Sequence, residues 1–197
     1  MPYNPKKHHR RSIRLKRYDY SQKGLYFVTI CIKNRACLFG NITNGKMNLN
    51  DAGIMVKTQW LELPQRFTNI QLHEYIIMPN HFHAILEIVG ATLVVAPNNT
   101  VAPNNGIDIQ KRQPQGIAPT IAPTKTVGDM VGAFQSIVTV EYIRGVKNNN
   151  WERFDKKLWQ RNYWEHIIRN DAAYRRISNY IIENPQKWDN DKFNPGK

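Results

Sequence analysis

A chain of 197 residues, 41% of them hydrophobic, is long enough for one good core and points to one domain, or to one domain carrying a large insertion. Its 28 Lys and Arg against 15 Asp and Glu leave a net charge of +13, which asks for a polyanionic partner: nucleic acid first, although a ribosomal or membrane-surface protein has the same arithmetic. Residues 1–24 are too charged for a secretory leader, the apolar runs fall short of the ~20 residues that span a bilayer, and Cys31 and Cys37 lack the spacing of a zinc cluster, so a cytoplasmic protein, nucleoid-associated if it binds DNA, is expected.

The first 23 residues hold eight Lys or Arg and one Asp, so residues 1–24 read as a basic N-terminal arm ahead of a domain at 25–190. LYFVTICI (25–32) is β-branched and aromatic and predicts a buried strand. NITNGKMNLN predicts a small hairpin around Asn44-Gly45. From Asp51 to Phe67 the apolar positions Ile54, Met55, Trp60, Leu61 and Leu63 fit an amphipathic helix that Pro64 ends or bends. LHEYIIM (72–78) and HFHAILEIV (81–89), joined by Pro79-Asn80, predict an antiparallel hairpin.

Residues 91–126 change character. VVAPNNTVAPNNG and IAPTIAPT are short tandem repeats of Pro, Asn and Thr with few side chains able to build a core, a flexible insertion rather than a repeat fold. A helix is predicted over 127–146. WERFDKKLWQRNYWEHIIRN (151–170) interleaves Trp151, Phe154, Trp159, Tyr163 and Trp164 with Arg153, Lys156, Lys157 and Arg161. Such a stretch suits unpaired bases, by stacking and phosphate contact; the alternative is that Trp159 and Trp164 are core and only the cations are exposed. DAAYRRISNYIIEN predicts a last helix, with Asp171 near its cap and Pro185 closing it, and 191–197 reads as a tail.

Two patterns could carry chemistry. In a strand, residues two apart share a face, so His81 and His83 present two imidazoles to one side. They are a divalent-metal chelate or a pair of half-exposed strand-end histidines. Tyr180 and Asn184, four apart on a helix, also share a face. Tyr is a possible nucleophile and the Asn carbonyl a possible metal ligand; equally, Tyr180 could belong to the core stripe of Ile177 and Ile181 and Asn184 could be a cap.

MPNHFHAILEI, WQRNYWEHIIRN and NYIIENPQKW, together with RRSIRLKRYDYSQKGLYFVTICIKNRACLFG, resemble the REP-associated tyrosine transposases, relatives of the single-tyrosine transposases of small insertion sequences. HFH fits the His-hydrophobic-His motif of the HUH endonucleases. The resemblance covers nearly all of residues 10–189 except the insertion. It implies a ferredoxin-like α+β domain, an antiparallel sheet with packed helices, in which His81 and His83 are metal ligands, Asn184 is a third ligand (Glu165 and His166 being alternatives) and Tyr180 is the nucleophile. It also implies Mg²⁺ or Mn²⁺ as cofactor and a 5′-phosphotyrosine intermediate on single-stranded or hairpin DNA near repetitive palindromes, in a monomer or a homodimer. The metal site is expected at the sheet's edge, facing the helix that carries Tyr180. Arg10, Arg11, Arg14, Lys16 and Arg17 of the arm, with Arg153, Lys156, Lys157 and Arg161, are the expected DNA contacts. The rival readings are a hairpin-binding protein of the same fold that does not cut, and an unrelated metal-dependent hydrolase in which Tyr180 is idle.

The repeats offer little to bury, and changing the length of a loop alters its closure entropy only slowly. Replacing residues 92–125 by a short Gly-Ser bridge is therefore expected to leave the urea midpoint nearly unchanged; a deletion that unfolds the protein would show that the insertion packs on the domain.

Overall fold

A computed structural model describes residues 15, 17–90 and 125–196; Arg10, Arg11, Arg14, Lys16 and the repeats at 91–124 lie outside the described residues. In chain order the elements are β1 (Gly24–Cys31), the hairpin of β2 (Gly40–Thr43) and β3 (Lys46–Leu49), α1 (Asp51–Leu61), the single turn α2 (Leu63–Arg66), β4 (Ile70–Ile77), β5 (His81–Ile88), α3 (Val127–Asn148), β6 (Trp164–Ile168) and α4 (Asp171–Glu183). β1, β4, β5 and β6 make one antiparallel sheet in the order β4-β5-β1-β6. With α1 and α3 as its crossovers, that sheet is the ferredoxin-like α+β arrangement.

Alternation along the two inner strands sorts the side chains. Tyr26, Val28 and Ile30 of β1 and Phe82, Ala84 and Leu86 of β5 are fully buried and share one core with α1 and α3. Trp60 is its hub, with its ring 4.9 Å from Phe82 and 5.3 Å from Phe134. Each such side chain taken out of water contributes about 1.5–3 kcal/mol. The opposite face carries Phe27, Thr29 and Cys31 alongside His81, His83 and Ile85, following the register His81↔Cys31 and His83↔Thr29. There α4 packs by Ile177 and Ile181 onto Ile85 and Ile168.

The helical run over 51–67 breaks just ahead of Pro64, as a proline there implies: Glu62 closes α1, and Pro64 lies in the first turn of α2, where a missing N–H is no loss. Several boundaries differ from expectation. The β4–β5 connection is three residues, Met78 to Asn80. Thr126 belongs to α3, whose capping box it forms with Asp129. β6 emerges from the aromatic, basic stretch. The domain also begins before residue 25, because Tyr20 is buried in the core and Tyr18 packs on it with its hydroxyl 3.2 Å from that of Tyr26. Among the described residues no helix is long and apolar enough to cross a membrane.

Gly145 of α3 faces the Trp151 ring, and a Cβ there would fall 2.1 Å from a ring carbon. Gly145→Ala should therefore destabilise the protein, since overpacking costs about 1–3 kcal/mol against the ~1 kcal/mol that Ala gains over Gly in a helix. Urea unfolding measures the sign; a raised midpoint would mean that the indole swings clear.

Candidate active site

β5 is an inner strand, so the two histidines are not at the sheet's edge, and neither is half-exposed: His81 and His83 are 0% and 2% accessible. Their rings lie 4.6 Å apart. For His81 the surrounding side chains determine which nitrogen carries the proton. Asn80 donates through Nδ2 to the carbonyls of Arg35 (2.9 Å) and Phe193 (2.8 Å). Its Oδ1 is thereby turned to His81 Nδ1 at 2.9 Å, and since a carbonyl only accepts, Nδ1 holds the hydrogen. The lone pair of His81 is then on Nε2. His83 Nδ1 meets Thr29 Oγ1 at 2.7 Å, which leaves Nε2 of that ring facing the site as well. Orienting a ligand imidazole through its second nitrogen is how metal sites are commonly braced.

Burial pushes His81 down to about 3 from an ordinary value of 6.5; the Asn184 carboxamide partly counters this and the Lys192 charge adds to it. His83 is held well below its usual range by burial, then by His81 and Lys192. Both are neutral near pH 7, as ligation requires.

α4 places the remaining groups. Its inner stripe of Ile177 and Ile181 seats it on the sheet, and polar contacts fix it against β4, where Tyr174 Oη donates to Glu74 Oε2 at 2.8 Å and Ser178 Oγ at 3.1 Å. Burial alone would raise the Glu74 carboxyl, but these hydrogen bonds outweigh it and hold the group below its usual range. Held this way, α4 sets Tyr180 Oη 3.3 Å from His83 Nε2 and the Tyr180 ring edge-on to Phe27. Burial, and after it the Asp191 carboxylate, raises the phenol above its ordinary value. Asn184, the C-cap of α4, is buried.

His81 Nε2 and Asn184 Oδ1 are both buried and, among the described residues, without a hydrogen bond of good geometry, yet the amide is close enough to act on both His81 and Tyr180. Two orphaned acceptors beside His83 Nε2 fit a cation: two imidazoles and one carbonyl oxygen make a mixed set, softer than the all-oxygen set that Mg²⁺ favours. Among the described residues no three His, Cys, Asp or Glu side chains gather at one point. Glu165, an alternative third ligand, pairs with Val28 on the other face of the sheet and accepts from Tyr163 at 2.7 Å. His166 pairs with Phe27 and is exposed, two strands across the sheet from His83 and two residues out of its row. Of the possible third ligands, the structure brings Asn184 to the histidines and leaves these two out.

The tail expected from residue 191 roofs the site instead. The Phe193 ring is 4.6 Å from that of His81, and the ring of Trp188, just before this segment, stacks on His81 at 6.1 Å. Arg35 donates to the Lys192 carbonyl at 2.7 Å, securing the segment. The sequence reading missed Asn80, Thr29, Trp188 and Phe193. Asn80 could have been found from its place beside His81 in a tight turn; WDNDKF offers no comparable signal.

The cations divide. Arg17, Arg153, Lys156, Lys157 and Arg161 are exposed. Lys157 and Arg161, with Lys33 and Arg35, line a groove of about 480 Å³. The aromatic residues divide too: Trp159 is core while Trp164 is 59% exposed.

No family model matches the sequence. An uncharacterized protein of Haemophilus influenzae is 42% identical over 191 residues, spanning 97% of this chain and 96% of that one. The two proteins belong to one family. Among solved structures, a REP-associated tyrosine transposase bound to a REP hairpin superposes with a TM-score of 0.52 at 19% identity, over 88% of this chain and 73% of that one. At that identity the likeness is one of fold.

The buried imidazoles make stability depend on pH. An unfolded chain takes up histidine protons near pH 6.5, whereas folded His81 resists down to about 3, so their contribution is full above 6.5 and is lost as pH falls from there. Between pH 7.5 and 5.5 the unfolding free energy should drop by about 1.4 kcal/mol per buried imidazole. Urea titrations of the wild type and His83→Gln check this: the variant should lose about half as much.

Proposed function

We propose that the chain is a DNA transposase or endonuclease that cleaves and rejoins single-stranded or hairpin DNA through Tyr180, at repetitive palindromic elements. One observation carries this reading: Tyr180 Oη sits 3.3 Å from His83 Nε2, beside the orphaned His81 Nε2 and Asn184 Oδ1. A shared core would account for a buried Tyr or a buried His, but not for four polar groups converging with their lone pairs turned inward. The fold held in common with a transposase bound to a REP hairpin supports it.

A divalent cation, Mg²⁺ or Mn²⁺, held by His81, His83 and Asn184 would polarise the scissile phosphate. Burial and Asp191 keep the phenol protonated until attack. Forming the bond from Tyr180 Oη to phosphorus breaks the bond from phosphorus to the 3′ oxygen, and the phenolic proton ends on that oxygen as a 3′-hydroxyl. The phosphodiester survives as a 5′-phosphotyrosine, so a 3′-hydroxyl of another strand can reverse the step without an energy source. Lys33, Arg35, Lys157 and Arg161 line a groove suited to holding the phosphate backbone.

Hairpin oligonucleotides with single-stranded flanks of randomised sequence, labelled at either end, test the proposal. A covalent adduct should carry the 3′ label, while the 5′-labelled fragment leaves with a free 3′-hydroxyl. Tyr180→Phe should abolish the adduct with affinity held within a few-fold, and EDTA should abolish it until Mg²⁺ or Mn²⁺ is restored. Binding without an adduct would favour a non-cutting hairpin binder. Cleavage that survives Tyr180→Phe would favour a hydrolase that activates water.

A further inference from the structure

α4 covers β4 and β5 and reaches Ile168 at the far end of β6, but leaves the rest of that half of the face uncovered. Over β1 the sheet is left open, and Phe27 forms part of the floor of a cavity of about 410 Å³. Tyr180 and His83 stand on one side of it and Trp164 on the other. The cavity therefore begins at the hydroxyl that would attack phosphorus and extends away from it along the sheet.

Its chemistry is specific in four respects. The volume lies at the low end of small-molecule pockets, about 300–1,000 Å³, enough for one nucleobase together with its sugar. Trp164 is 59% exposed, although Glu165 and Ile168 on the same short strand are buried; an indole left in water at a cavity rim is a stacking platform without a partner. Gln160 and Asn162 bring carboxamides to the wall, groups that both donate to and accept from a base edge, and Gln160 Nε2 is spent at 3.3 Å on the Ile32 carbonyl, which turns its oxygen outward. Among the described residues the lining holds no carboxylate and includes Lys192, a cation set against the Asp191 charge that reaches Tyr180 from outside the lining. Gln160 also lines the basic groove of Lys33, Arg35, Lys157 and Arg161, so groove and cavity meet at that side chain.

We propose that this cavity is a subsite for one unpaired nucleobase, belonging to a nucleotide that flanks the phosphate attacked by Tyr180, with Trp164 as its stacking platform and Gln160 and Asn162 as the readers of its edge. The proposal rests on the tyrosine-nuclease reading of the neighbouring site. Stacked nucleotides follow one another at about 3.4 Å along a strand, so with a phosphate at Tyr180, itself part of the cavity wall, an adjacent nucleotide is within reach of the cavity. An enzyme that holds that base out of the stack also fixes the backbone on which the attack must align.

The test walks a single abasic tetrahydrofuran residue through the flank of a hairpin oligonucleotide taken from the bound fraction of the randomised pool. Affinity is read by fluorescence anisotropy in EDTA, where no cleavage intervenes. In the wild type, one position should lose roughly 10- to 100-fold while its neighbours lose little. Trp164→Ala should lose the same factor on the intact oligonucleotide and nothing further when that position is abasic, and Trp164→Phe should recover most of the loss. Because Trp164 is exposed, the variants should keep the wild-type circular dichroism and bind the flankless hairpin equally well. A flat abasic scan, or losses from Trp164→Ala and the abasic residue that simply multiply, would overturn the subsite even if the Tyr180 adduct forms. Coupling at one position with no adduct in Mg²⁺ or Mn²⁺ would keep the nucleobase site and overturn the cutting chemistry beside it.

Discussion

The carboxamide of Asn80 ties three segments of the chain together, and the state of the candidate site follows from it. Its nitrogen is committed to two backbone carbonyls, Arg35 after β1 and Phe193 in the roof, so its oxygen can face only His81. A flipped amide would press oxygen against two carbonyls and leave buried groups unpaired, at about 1–3 kcal/mol each. The orientation is over-determined, and with it the imidazole tautomer. Thr29, opposite His83 in the strand register, acts on the second ring. The inward lone pair of His81 is thus fixed by a turn, and the His83 ring is held in place by strand pairing, so neither imidazole has to wait for a ligand to position it.

Tyr180 is positioned by a different principle. Its helix is seated at one end by isoleucines and along its side by a carboxylate that accepts two hydroxyls. The apolar contact sets how deep the helix lies; the polar contact sets where it sits along the sheet, because hydrogen bonds tolerate far less sliding than methyl groups do. Tyr180 itself remains 38% accessible, so a helix anchored on its inner stripe still offers one flank to solvent.

Much of the fold was legible locally. β1 and β5 announce themselves by β-branched runs, the β2–β3 turn by Asn44-Gly45, whose residues have the positive φ such a turn needs, and α4 by its isoleucine spacing. The His-x-His and Tyr-x-x-x-Asn pairs were each visible, but only the fold brings them face to face from strand and helix. What was hidden is non-local. β6 is short and takes its identity from pairing with β1, since WEHII alternates too briefly to stand out from its aromatic surroundings. Sheet order is not written in any one strand, so the inner position of β5, and the complete burial of two histidines, could not be read from HFH. The roof built by Trp188 and Phe193 depends on the carbonyls those residues happen to present, and the difference between Trp159 and Trp164 depends on which face of the sheet each meets.

The insertion leaves the sheet after Ile88, at the far end of β5 from His81, and the chain returns at Thr126 to start α3. Seven strand steps of about 3.3 Å separate the two ends, roughly 23 Å. Replication slippage acting on the tandem VAPNN and IAPT codons can therefore add or remove whole units there in frame without shifting a single residue of the histidine end. The same geometry makes this crossover a natural entry port for new sequence, so that length polymorphism among otherwise similar genes should gather at this one junction.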